Sequence, residues 1–200
     1  MYVIATDELI CFSIWGNFIE RSMAEQKKQS DYFQFYDLQV KFHPDQAKVK
    51  SKFYELSKKY HRDFFSNESA ERQEDVLQKS TENNKACKTL SNKKNLVKYV
   101  LELKNILIVG EQYVLNREFL MEMMDVNESL MDLEFTEDIE QMTSLKNEIT
   151  EISSELDESL LKLTLAHDEL ANDDLSLLQQ IKDVYYRQKY VYRIKERLND

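Results

Sequence analysis

The chain has 200 residues, enough for one large or two small domains, with two Gly, one Pro and 32% charged side chains. So few breakers exclude a sheet-rich fold, and 42% apolar residues exclude a disordered chain, which leaves an all-α protein. The net charge of −10 is uneven: residues 31–105 carry 15 basic and 11 acidic side chains, residues 106–200 carry 9 and 22, a split that points to two units with different partners and disfavours nucleic acid.

Residues 1–30 form an uncertain N-terminal extension. Their apolar stretch follows Asp7 and Glu8 and has no basic leader, so it resembles neither a signal nor a transit peptide. Met23 offers an alternative start, and residues 1–22 are expected to be dispensable. Cys11 and Cys87 share no paired spacing, which predicts neither a disulfide framework nor a zinc site and favours a reducing compartment. No apolar run reaches the roughly 18 residues of a membrane span.

Asp31 to Leu38 is a short aromatic segment in which Phe33, Tyr36 and Leu38 share a stripe. The tripeptide His43-Pro44-Asp45 then precedes an amphipathic helix over 46–60, with Val49, Phe53, Leu56 and Tyr60 on one face and lysines on the others. Asp45 stands where an N-cap belongs, so this tripeptide reads as helix initiation. A second, imperfect copy, His61-Arg62-Asp63, follows the helix directly. A third helix is expected over 70–90, with Val76, Leu77, Ala86 and Leu90 inward. A fourth is expected over 93–104, with Leu96, Val97, Val100, Leu101 and Leu103 apolar. Gly110 marks a boundary, and 106–115 reads as a linker.

The acidic half divides into three helices. Asn116 caps the first, which runs to about Leu133. Thr136 is expected to cap the second, along which Met142, Leu145, Ile149, Ile152, Leu156 and Leu160 keep helical spacing. Asn172-Asp173-Asp174 starts the third, with Leu175, Leu178, Ile181, Tyr185 and Tyr192 on its apolar side. Each large apolar side chain buried is worth roughly 1.5–3 kcal/mol, and three such stripes are hidden together in an antiparallel bundle.

Four segments in order, DYFQFYDL, KFYELSKKYHRDFF, NKACKTL and REFLMEMMDVNESL, resemble the HscB-type J-domain co-chaperones of iron–sulfur cluster assembly. The likeness covers about 31–200, and Phe119-Leu120-Met121-Glu122 is its most specific part. It implies an L-shaped protein: a J-domain hairpin over 31–105, a linker over 106–115 and a scaffold-binding three-helix bundle over 116–200. It also implies that the bundle presents an iron–sulfur scaffold protein (IscU-like) to a DnaK-type chaperone (HscA-like), whose ATPase the J-domain stimulates.

Carried over by position, His61, Arg62 and Asp63 form the J-loop, and Lys58 and Lys59 steer onto an acidic chaperone surface. Leu120, Met121, Met124, Asp125, Glu128, Asp132 and Tyr190 form the scaffold face. Pattern alone divides Leu120, Met121 and Met124 between core and surface; the resemblance implies surface. Arg62 departs from the family's Pro, which opens a second possibility, a J-like adaptor that binds its partner but no longer stimulates the ATPase. His43, His61 and His167 lack paired Cys and Glu-x-x-His spacing, and two glycines cannot build a phosphate loop. The expectation is therefore a monomeric, cytoplasmic bacterial protein that is no enzyme, without metal or cofactor and without nucleic-acid or membrane partners.

Overall fold

The computed structural model describes residues 31–135, 138–170 and 173–198, so the N-terminal extension, Thr136 and Asn172 lie outside the described residues. The described chain is helical: α1 (Tyr32–Phe35), α2 (Gln46–Lys59), a 3-10 turn (Arg62–Phe65), α3 (Ala70–Ser91), α4 (Lys93–Leu103), α5 (Arg117–Phe135), α6 (Ile139–Glu169) and α7 (Leu175–Arg197).

Local chemistry sets the helix starts. Asp45 accepts from the amides of Ala47 and Lys48, so the first His-Pro-Asp tripeptide does initiate α2. Ser69 and Asn92 cap α3 and α4, and Asn116 accepts from Glu118 N at the start of α5. Asp138, not the expected Thr136, caps α6, accepting from Glu140 and Gln141. Asp174 does the same for α7. Gly110 takes φ 84°, left-handed backbone that a glycine enters without a Cβ penalty, and turns the chain between α4 and α5.

Two apolar clusters organise the molecule. The first gathers Phe33 and Tyr36, Val49 and Leu56 of α2, Ala86 and Leu90 of α3, and Leu96, Val100 and Leu101 of α4. The second gathers Phe119, Met123, Val126 and Leu130 of α5, Leu145 and Ile149 of α6, and Val191 and Ile194 of α7. Early α6 thus meets late α7, as an antiparallel pair requires, and α5 closes the three-helix bundle.

The two long helices do not stop at the bundle. Leu178 and Ile181 at the start of α7 are buried in the first cluster, and Leu160 and Leu163 of α6 pack against it. Thus α7 serves both cores, its N-terminal half on the hairpin side and its C-terminal half in the bundle.

Three inward assignments fail. Leu77 is 56% exposed, Leu175 is 62% exposed and Tyr192 is half-exposed. The stripe of α3 turns through Val76, Asn83, Ala86 and Leu90, leaving Leu77 to the side. Leu175 precedes the first buried turn of α7, and the Tyr192 ring lies outside it, under the ammonium of Lys94. Asn83 is the buried polar member of the first core. Its amide donates to Phe53 O and Ser57 Oγ, and its side-chain and backbone oxygens both accept from Tyr36 Oη, so α1, α2 and α3 are tied at one residue.

Candidate docking surfaces

The loop after α2 is a short, exposed, self-bonded turn. His61 holds extended backbone, φ −73° and ψ 125°, and its ring accepts from Asp63 N at 3.3 Å. That bond assigns the ring proton to Nε2, a donor on an exposed side chain. The Asp63 carboxylate lies 3.7 Å from His61 Nδ1, and all three of His61, Arg62 and Asp63 are exposed. Phe64 stacks at a tilt on His61 and is 68% exposed. Lys58 and Lys59, in the last turn of α2, are exposed beside the loop, where the helix dipole favours cations. The turn therefore offers a donor ring, a carboxylate, an aromatic edge and three cations on one end of the hairpin.

Arg62 is the first residue of its 3-10 turn and follows an extended residue. This is the backbone that a proline demands of itself and of its predecessor. The loop has the shape of a proline turn without the proline.

Helix α5 separates two faces cleanly. Phe119, Met123, Val126, Leu130 and Leu133 are buried in the bundle. Leu120 is 40% exposed, and Met121 and Met124 are each 56% exposed. Asp125, Glu128 and Asp132 continue that outer face. Surface, not core, is thus the place of Leu120, Met121 and Met124. Flexible thioethers with an acidic border make a patch that adapts to an apolar partner surface and sets its register by charge. Tyr190 differs: its ring packs edge-on against Phe119 and its hydroxyl accepts from Asn127, so it is half-buried and supports α5 from α7.

The linker is not a loose tether. Glu111 accepts from Lys182 Nζ at 2.8 Å and from Tyr186 Oη at 3.0 Å, and Lys182 also donates to Ile106 O. The Tyr113 ring stacks on Tyr186 with centroids 4.4 Å apart, and its hydroxyl donates to Asp183. The Lys182 hydrogen bond holds the Glu111 carboxyl below the usual carboxylate range, against the opposing effect of burial. Burial, then the hydrogen bonds to Asp183 and Glu111, push the hydroxyls of Tyr113 and Tyr186 up to about 12. Sequence reasoning missed this clamp, although a lysine set in the 178–181–185 apolar run of α7 was its signal.

Residues 115–199 match the family model described as the HSCB C-terminal oligomerisation domain. The co-chaperone protein HscB of Proteus mirabilis is 26% identical over 170 residues, which cover 84% of this chain and 93% of that protein. A crystal structure of human co-chaperone protein HscB superposes with a TM-score of 0.65 and 26% identity, covering 84% of this chain and 80% of that one. Over most of its length the chain is similar to HscB-type co-chaperones, and its C-terminal part matches their C-terminal domain model. An iron-sulfur cluster co-chaperone protein HscB homolog of Arabidopsis thaliana is 25% identical over 124 residues, 62% of this chain and 49% of that protein. The fold shared with these relatives carries Arg62 in the loop after α2. Among the described residues no helix is long and apolar enough to cross a membrane, and no cluster of His, Cys, Asp and Glu has the makings of a metal site.

Proposed function

We propose that this chain is an iron–sulfur cluster co-chaperone that holds a cluster scaffold protein on the outer face of α5 and presents it to a DnaK-type chaperone, whose ATPase it stimulates through the loop after α2. The observation that carries this is the pairing of two exposed, chemically distinct surfaces on one folded body. One is the His61-Arg62-Asp63 turn with Lys58 and Lys59, suited to an acidic surface. The other is Leu120, Met121 and Met124 bordered by Asp125, Glu128 and Asp132, suited to an apolar patch with a basic rim. The hydrolysis belongs to the chaperone; this chain contributes binding and position, as one copy, in a reducing bacterial cytoplasm.

A second possibility, a quiet adaptor, draws on Arg62. Without proline the free loop samples more conformers, worth about 0.4–1 kcal/mol, which is under tenfold in affinity. Stimulation therefore survives unless the proline ring itself makes a contact. Single-turnover ATP hydrolysis by an HscA-type chaperone, with scaffold present, tests both. Acceleration by the unaltered chain supports the co-chaperone role. Acceleration only by Arg62→Pro supports the adaptor, and none by either removes the chaperone half of the proposal.

A further inference from the structure

The His43-Pro44-Asp45 tripeptide does more than start α2. The amides of Phe42 and His43 donate to the two carboxylate oxygens of Asp168, at 2.9 and 2.7 Å. Asp168 is the penultimate residue of α6, so these bonds join the hairpin side to the far end of the bundle. The His43 ring adds a bond of 2.9 Å to Thr164, one turn earlier on the same helix. Thr164 donates its own proton to Leu160 O, so it accepts from His43 Nε2–H. The Phe42 ring meets His167 edge-on, and Lys104 at the end of α4 pairs with Asp173 across the same junction. His167 Nδ1 lies 3.5 Å from Asp168 and Nε2 lies 3.3 Å from Asp173, although neither ring nitrogen makes a well-aligned hydrogen bond.

Three features separate this carboxylate from a passive surface group. Its side chain is only 9% exposed, and a buried charge persists only with directed partners. It sits in the last turn of a helix, where the dipole disfavours an anion, so α6 gains nothing locally from it. It receives two consecutive backbone amides from the irregular segment before α2, which have no ladder of their own. The apolar contacts of Leu178 and Ile181 with the hairpin core are non-directional and tolerate sliding. A two-pronged, charge-assisted bond does not.

We infer that Asp168 is a positioning residue that fixes the direction of the 61–63 loop relative to the outer face of α5, with His43 and Thr164 as its second point of attachment. The latch itself stands on the contacts above. Its consequence for activity rests on the proposed co-chaperone role, because only a protein that docks two partners needs a fixed angle between them. Neither Asp168 nor Thr164 lies on a docking surface, so variants there alter the angle and not the contacts.

The test uses the full chain with Cys11 and Cys87 changed to serine and spin labels at Lys85→Cys on α3 and Asn147→Cys on α6, both exposed positions. A narrow distance distribution is expected with Asp168 present and a clearly broader one in Asp168→Asn, whose amide sets a donor against a donor. Thr164→Val, which removes only the His43 bond, is the second variant should Asp168→Asn fold poorly, and it should broaden the distribution less. Unchanged distributions in both variants would overturn the latch. In parallel, the scaffold-dependent part of ATPase stimulation should fall by about tenfold in Asp168→Asn, while scaffold affinity and scaffold-free stimulation hold. A broadened distribution with full scaffold-dependent stimulation would overturn the positioning role. Absence of stimulation by the unaltered chain would instead strike the co-chaperone proposal, leaving the distance measurement to decide the latch.

Discussion

Arg62 occupies a backbone that proline would fit without strain. His61 before it is extended, and among the described residues Arg62 N donates no backbone hydrogen bond outside its own turn, so a proline there breaks none. Arg62→Pro should therefore stabilise the chain by about 0.4–1 kcal/mol through its unfolded state, and denaturant midpoints check this. A destabilised variant would mean that the turn is held by something other than its backbone preference.

Glu111 makes a second residue-scale test. Its carboxyl titrates below the ordinary carboxylate range because Lys182 and Tyr186 bond to its charged form. The folded value is lowered, so the stability it contributes is fully present above the unfolded value, about 4.3, and is lost as pH falls through the folded one. Urea midpoints of the unaltered chain should fall more steeply on acidification below about pH 4 than those of Glu111→Gln. Parallel falls would remove Glu111 from the clamp.

At the scale of the element, α5 is a helix of two faces and should behave as one. Met123 is almost wholly inaccessible, whereas Met121 and Met124 are open to solvent. Met123→Ala should cost about 2–5 kcal/mol of stability. Met121→Ala with Met124→Ala should stay within about 0.5 kcal/mol per site and instead weaken scaffold binding, as thermal melts beside calorimetric titrations would show. The reverse pattern would exchange core and surface on this helix.

Helix α5 also shows how much the sequence discloses. Its boundaries and its cap were legible, because those depend on local chemistry. Which of two apolar stripes faces inward was not, since Leu120, Met121 and Met124 are as hydrophobic as Phe119 and Met123. The same limit explains Leu77 and Tyr192, apolar side chains beside a stripe rather than on it. Asn83 was hidden for the converse reason: a polar side chain falls on the inner spacing of α3, and only Tyr36, 47 positions away, reveals why it is tolerated. Contacts between distant segments, such as Asp168 with residues 42 and 43, carry no periodic signal at all.

Across the whole molecule, the feature with most consequence is that α7 belongs to both cores. Leu178 and Ile181 seal the hairpin side, Val191 and Ile194 seal the bundle, and Lys182 between them ties down the linker. The apolar contacts of α7 hold the two cores together, and the proposed Asp168 latch sets the angle between them. The loop of residues 61–63 and the outer face of α5 are presented by one continuous body, which suits the proposed delivery of one protein to another.

The most direct test of that role is single-turnover ATP hydrolysis by an HscA-type chaperone with a scaffold protein, comparing the unaltered chain with a Met121→Ala, Met124→Ala double variant and with His61→Gln. The unaltered chain should accelerate hydrolysis. The double variant should lose the part that depends on scaffold, and His61→Gln should lose all of it. Hydrolysis indifferent to all three proteins would contradict the co-chaperone role outright.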